Sequence, residues 1–566
     1  MLEAARRGVS PLTCVFIDPP SRDSAAVSHT AALAGLRESL AAAGGTLHHL
    51  SGSPRDVLPA VARAVDAEHV FVSAEPEERL AVLLDEAQEA LAQHSCQLHV
   101  CSLPLWDAQP ARESNYRRHA QQRGQLVPPQ LQLPKLAFTS AAVALPSSEV
   151  VTVPVADSAR RAVPDTEVGA IAALRAFCGL AEDEEVIRAA EAADAERRGT
   201  SFAVLFERAA HLGTLSPRLI AATANEALSA HLRGALPDVA AVRRARCALR
   251  AAERSAFHTS LALADRGRVA ASDDGIASDS PNGTHIRQRW WRWRGMLVPY
   301  IHVPALEPTP SSLLLVHGFG AFGEHWRRQW GPLSSSSSVW CPTLPGFGRS
   351  EKGALPYSQE LWTQYLADFV TQVVATPVVV AGNSIGGLMC ANLAADFPAL
   401  VDGLVLLNSA GPIRAGATDP GAARGSPLPA LVINALTTLL LAYLERSVEA
   451  TLRRCYPVCP ENADAWLTRE IERASSDDGA FGVFASVFYL PPPRALNQLV
   501  NTFGKATLIL NGQLDPLNDA GARARDLAAL CDAKKVSVQL LQAGHCPHDE
   551  LPAEVNAAIS SFVIRR

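Results

Sequence analysis

Ser384 stands in Gly382-Asn383-Ser384-Ile385-Gly386, with glycine two positions away on either side. An apolar, β-branched run precedes it in "VVVAGNSIGGLMCANLAADFP", and an apolar pattern with helical spacing follows. Such a strand-to-helix turn holds a serine hydroxyl exposed for nucleophilic attack, and the small residues let the backbone pass closely. The following helix presents unpaired N–H groups and its positive dipole end to a developing oxyanion. A serine hydroxyl needs a base to take its proton. Downstream, "ATLILNGQLDPLND" sets Asp515 just after an apolar run, and "VSVQLLQAGHCPHDELP" sets His545 after another. The order Ser384, Asp515, His545 is the one a nucleophile elbow of this kind uses. His545 would take the serine proton and return it to the leaving group. Asp515 would fix the imidazole tautomer and stabilise its charged form.

The oxyanion must also be met. In "SLLLVHGFGAFGEHW", His317-Gly318-Phe319-Gly320 follows a buried-strand pattern directly. A loop placed there supplies one backbone N–H, that of Phe319, and the residue after the nucleophile, Ile385, supplies the second. Gly318, Gly320, Gly382 and Gly386 are the glycines this geometry asks for. His548 and Asp549 lie close to His545 but without its strand-end position, and they read as orienting the loop.

The elements that must position these groups form the second half of a long chain. At 566 residues, length favours several domains. A hydrophobic share of 48% with 19% charged residues reads as globular. The formal net charge of −6 gives no electrostatic reason for nucleic-acid binding. Eleven cysteines lack framework spacing and read as reduced thiols; Cys455 and Cys459 have no second pair to complete a zinc site. No uninterrupted run of eighteen apolar residues predicts a membrane span, and the apolar stretch Leu428 to Leu444 reads as a buried or cap helix, which leaves peripheral membrane contact open. Residues 12 to 103 alternate strand-like and helix-like segments, which predicts a parallel sheet with crossover helices. Alanine-rich, charged helices follow to Arg268, and "ASDDGIASDSPNGT" is a polar linker. "RQRWWRWRG" mixes basic residues with tryptophan, yet Trp291-Arg292-Trp293-Arg294 alternates with period two and predicts a strand with one buried face.

Residues 289 to 566 resemble the α/β-hydrolase superfamily. Within it, "GNSIGG", "LLNSAGP" and "AGHCPHDELP" are similar to the pheophytinase and chlorophyll-dephytylase group of plants and algae. That resemblance implies cofactor-free hydrolysis of a carboxylic ester, lipophilic or isoprenoid, and a chloroplast location. Upstream, "VFIDPP", "LRESLAAAGGTLHHLSGSPRDVLPAVARAVDAEHVFVS" and "NYRRHAQQRG" resemble the antenna domain of DNA photolyases and cryptochromes, and "TSFAVLFERAAHLGTLSPRLI" resembles the entry to their FAD domain.

The expected fold class is therefore α/β throughout. A Rossmann-like, photolyase antenna-type domain (1–135) precedes a helical segment (136–268) and a linker (269–284). An α/β-hydrolase domain (285–566) follows, with a helical cap at about 412–493. "LTCVFIDPP" matches the second strand of the photolyase family, so a central strand is missing, the sheet must re-pair or be incomplete, and incompleteness is the expectation. The remaining alternatives are a photolyase-like light or nucleic-acid binding module, and a non-catalytic interaction protein that keeps the hydrolase fold. Flavin photochemistry needs an enclosed isoalloxazine and an electron path, and the resemblance to the flavin cradle stops near Arg268. The purified protein is expected to show no stoichiometric flavin bands in its absorption spectrum; their presence would refute this.

Overall fold

A computed structural model describes residues 12–18, 30–101, 162–197, 199–233, 238–264, 286–307, 309–415 and 430–565. The linker expected at 269–284 and the "NYRRHAQQRG" segment lie outside these residues. The chain divides into two compact units: one runs to Ala264 and includes Trp291–Leu297, and the other runs from Val298 onward.

In the first unit, β1 (Cys14–Asp18) pairs in parallel with β2 (Leu47–Ser51), and β3 (His69–Ser73) with β4 (Gln97–Cys101). Helices Thr30–Ala42, Pro54–Ala64 and Glu78–Ala92 make the connections, so the βα alternation is as the pattern predicts. The single parallel sheet is not. Among the described residues the four strands form two separate two-stranded sheets, and the re-pairing that would close them up does not occur. Five helices follow, Glu167–Phe177, Glu184–Glu196, Ser201–Leu212, Pro217–Arg233 and Val239–Ala264. Thr166 and Asp183 cap the first two through side-chain oxygens, and Ala170, Ala173, Ala224, Ala227, Ala245 and Ala248 let the helix backbones approach around Phe177, Phe202 and Phe206.

A larger sheet is built of β5 (Gln288–Trp293), β6 (Met296–Val303), β7 (Ser312–Val316), β8 (Ser338–Pro342), β9 (Val378–Asn383), β10 (Val401–Leu407), β11 (Thr507–Gly512) and β12 (Val536–Leu541). Their order across the eight-stranded sheet is β12-β11-β10-β9-β7-β8-β6-β5. The strands from β8 to β12 pair in parallel, and β6 runs antiparallel to β8. Every residue of β7, β9 and β11 is buried, the continuous apolar run that a parallel sheet covered on both faces requires. The tryptophan segment is the strand β5, but with a difference: Trp290, Trp291 and Trp293 are all buried. Both faces of β5 are therefore covered, and Arg294 leaves the strand to form the turn with Gly295, both at positive φ. Period two reports which side a residue faces; it cannot report that the outer side is covered as well.

Register sets the functional edge. Gly382 lies opposite Val316, Asn383 opposite Leu407, and Leu407 opposite Leu510. The residues that leave these strands, His317, Ser384 and Asn408, thus emerge in a row at the carboxyl edge, where ligands of such sheets bind.

Between β10 and β11 the chain forms helices Ala430–Cys455, Ala465–Ser475, Ala480–Ser486 and Leu496–Phe503. Buried charge fastens the middle of this excursion to the loop after β8. Lys352 donates to Asp477 at 2.7 Å and to the Gly348 carbonyl at 2.7 Å. Arg473 donates to Glu470 and Asp477, and Arg349 to Glu470. Burial pushes the Lys352 ammonium pKa down, while Asp477 pulls it back up. Breaking one side of a buried pair leaves an uncompensated charge, whereas an apolar replacement of both does not. Asp477→Ala should therefore destabilise the fold by about 3–5 kcal/mol in urea unfolding. The double change Lys352→Met with Asp477→Leu should recover much of that loss.

Candidate active site

Ser384 sits between β9 and helix Ile385–Asp396 with φ 56° and ψ −123°. A non-glycine residue held there is strained, and the surroundings must over-determine it. They do so through the main chain: Ser384 N–H donates to Leu407 O at 3.0 Å, and its carbonyl accepts from Ala410 and Gly387. A Cβ on Gly386 would collide with the His317 carbonyl, and one on Gly382 would collide with the Gly386 backbone. The structure brings Gly318 to the same place, with Asn383 Oδ1 and Ser384 Cβ as its nearest neighbours. Gly320 serves differently: its φ of +79° lets the loop turn away.

The loop after β7 is set by His317, a fully buried residue. Its Nε2 accepts from Leu344 N–H at 2.9 Å, so Nδ1 bears the proton and donates to Gly318 O at 2.8 Å. Burial lowers its pKa to about 3, with only a small opposing effect from the Gly318 carbonyl, and the ring stays neutral. The Gly318 carbonyl is thereby held by the ring. Phe319, the next residue, packs edge-on against Phe347 and against Phe484 of helix Ala480–Ser486, at centroid distances of 5.1 and 5.5 Å. Ile385 opens its helix, so its N–H has no acceptor within that helix.

Asp515 and His545 meet directly, Oδ2 to Nδ1 at 3.0 Å, and both are buried. Asp515 Oδ2 also accepts from Asn408 Nδ2 at 2.8 Å and Asn518 Nδ2 at 3.2 Å, while Oδ1 accepts from Leu517 N–H at 2.8 Å. Burial by itself raises the pKa of this carboxyl, but the bond and charge of His545, then the Asn408 and Leu517 donors, bring it to about 2.

The His545 loop is tied on two sides. Asn383, the residue before the elbow serine, donates to His545 O at 2.9 Å. His545 N–H donates to Cys455 O at 3.0 Å, and one Glu550 carboxylate accepts from the N–H groups of Gly544, Val458 and Cys459. His548 is fully buried against Trp326 and His325, which fits an orienting role and keeps it from any substrate. Asp549 accepts from Arg328 and Tyr456. The sequence reading missed Asn383, Asn408, Tyr456 and Glu550. For Asn408 a signal existed, since it ends an apolar strand just as His317 and Ser384 follow theirs.

A strained elbow serine, a histidine-bonded carboxylate and a loop after β7, all at the carboxyl edge of one mostly parallel sheet, define an alpha/beta hydrolase domain. The alpha/beta hydrolase family model matches residues 313–558, and the C-terminal part of the chain is the alpha/beta hydrolase domain of a hydrolase enzyme. The DNA photolyase family model matches residues 1–116. Pheophytinase, chloroplastic, of Arabidopsis thaliana is 25% identical over 360 residues, 53% of this chain and 73% of that protein. The pimeloyl-[acyl-carrier protein] methyl ester esterase of Cronobacter sakazakii is 29% identical over 45% of this chain and 93% of its own length. The Arabidopsis alpha/beta hydrolase domain-containing protein VTE7 is 25% identical, covering 44% and 74%.

The photolyase match raises the question of flavin. In the Thr-Ser pair that resembles the entry to a flavin domain, the Thr200 hydroxyl donates to Arg197 O at 2.7 Å and the Ser201 backbone N–H donates to Asp194, while the Ser201 hydroxyl is buried without a partner among the described residues. Phe202 stacks on Phe206 at 5.0 Å, and the alanine faces around them are buried.

The depressed Asp515 pKa ties stability to pH. Its contribution is fully present above the ordinary 3.8 and is lost as pH falls toward about 2. Asp515→Asn should flatten that part of the unfolding free energy measured between those two values relative to the parent; equal slopes would refute the assignment.

Proposed function

We propose that this protein is a serine esterase in which Ser384, His545 and Asp515 form the catalytic triad. The observation that supports it most is the 3.0 Å bond from His545 Nδ1 to Asp515 Oδ2, on a loop whose carbonyl is held by the neighbour of Ser384. With Nδ1–H committed to the carboxylate, Nε2 is the basic nitrogen. It takes the Ser384 proton as Oγ attacks the ester carbonyl, and returns it to the departing alcohol. The Phe319 and Ile385 N–H groups receive the oxyanion, one from a loop clamped by His317 and one from a helix start. Water then enters, gives its proton to His545 and releases the acid from the acyl-enzyme.

The substrate is read as a lipophilic ester. Phe319, Phe347 and Phe484 surround the oxyanion loop with aromatic surface, and Val432, Leu436 and Leu439 recur along helix Ala430–Cys455. The three aliphatic side chains are exposed, and apolar surface of this kind suits a large apolar ligand. The pheophytinase relative supports this reading, and the chloroplast location its name prints is proposed here too. No helix among the described residues is long and apolar enough to cross a membrane.

Two measurements test this. Ser384→Ala should lose ester turnover and fluorophosphonate labelling by orders of magnitude while keeping its circular dichroism; near-normal turnover would remove Ser384 as nucleophile. Across acyl esters of graded length and a phytyl ester, kcat/KM should rise with apolar length, and a preference for the shortest esters would defeat the lipophilic reading.

A further inference from the structure

Asn408 leaves the end of β10 with φ +42° and is buried. Its side chain makes a two-way pair with the end of β11: Oδ1 accepts from Gly512 N–H at 2.8 Å, and Nδ2 donates to Gly512 O at 3.4 Å. The second amide hydrogen goes to Asp515 Oδ2 at 2.8 Å, the same oxygen that receives His545 Nδ1. The following loop is clamped as well, because Arg523 donates to Ser409 O and Gly411 O. A left-handed asparagine costs free energy, and here its amide is placed by two backbone bonds before it reaches the carboxylate.

We infer that Asn408 is a positioning residue of the triad, whose amide donor aims the Asp515 carboxylate at His545 and sets how strongly that carboxylate holds the imidazole proton. This rests on the triad reading given above. A carboxylate oxygen shared between two donors is a weaker acceptor for each. Removing the Asn408 donor leaves Oδ2 a stronger partner for His545 Nδ1–H, which favours the imidazolium over the neutral ring. The same loss lets the carboxylate rotate, which lowers kcat.

The other titratable groups near the pair come from every side. Arg523 faces Asp515 from helix Ala520–Leu530 and stays charged. Cys455 and Cys546 are pushed up by burial, Cys455 to about 11. His325 and His548 are pushed down by burial, His325 to about 4. None of these changes charge near neutral pH, so a shift of an acidic limb there between parent and variant does not come from them.

Two variants tolerate the left-handed backbone. Asn408→Gly removes the amide, and Asn408→Asp keeps the shape and the bond from Gly512 N–H while replacing the donor by an acceptor. In Asn408→Gly, kcat should fall about 10–100-fold, as for groups that orient a reactive residue from behind. KM should stay near the parent value, and the acidic limb of kcat/KM should move up by roughly half a pH unit. In Asn408→Asp two carboxyl oxygens face each other and share a proton. Activity should then fall as pH rises and that proton is lost, a descending limb the parent lacks. Folded variants, checked by circular dichroism, whose pH profiles superimpose on the parent would overturn the role of Asn408. Ser384→Ala and Asp515→Ala separate the two ideas. Activity surviving in either would bring down the triad and this role together; activity lost in both, with Asn408 variants unchanged, would remove this role alone.

Discussion

Everything at the carboxyl edge depends on one strained peptide. Ser384 keeps φ 56° at a cost of about 1–3 kcal/mol, and no local propensity stabilises a serine there. What holds it is tertiary: its N–H is bonded to the end of β10, its carbonyl accepts from Ala410, and two glycines leave no room for the turn to relax sideways. The Gly386 backbone lies against the His317 carbonyl, so strain at the serine and placement of the loop after β7 are one packing problem. A side chain at any of these contacts would move both.

Several of the clamps around the Asp515 carboxylate are neutral. His317 is kept neutral by burial and uses both ring nitrogens on backbone groups. Asn383, at the end of β9, and Asn408, just past the end of the adjacent β10, use amides in the same way, one on the histidine loop and one on the acid. Amides and neutral imidazole orient without adding charge, so the ionised Asp515 is left as the partner that decides the tautomer of His545.

The strained turn at Ser384, the pairing of Asp515 with His545 and the parallel strands were legible because each begins as a local event: an apolar run ends, and a residue of distinctive chemistry follows. Asp515 and His545 announce themselves that way. Glu550 does not, since its carboxylate works on Val458 and Cys459, about ninety residues away, and nothing in "HDELP" says so. Trp290 departs for a related reason: alternation correctly puts Trp291 and Trp293 on one buried face, but it cannot report that the opposite face, where Trp290 lies, is buried as well. In the first unit the βα alternation fixes each strand and helix, but which strands share a ladder is a long-range matter, and the two separate pairs could not be read from it.

The attachment of the histidine loop bears on how such an enzyme can change its preference for substrates. His545 N–H and the Glu550 carboxylate are both anchored on Cys455–Cys459, where the helix Ala430–Cys455 ends. The same inserted helix therefore has two ends with different freedoms. Its start can vary in sequence and reshape the apolar surface without disturbing the base, whereas a shift or a length change near Cys455 moves the histidine itself. The end of the insertion is thus tied to the His545 loop through Cys455, Val458 and Cys459.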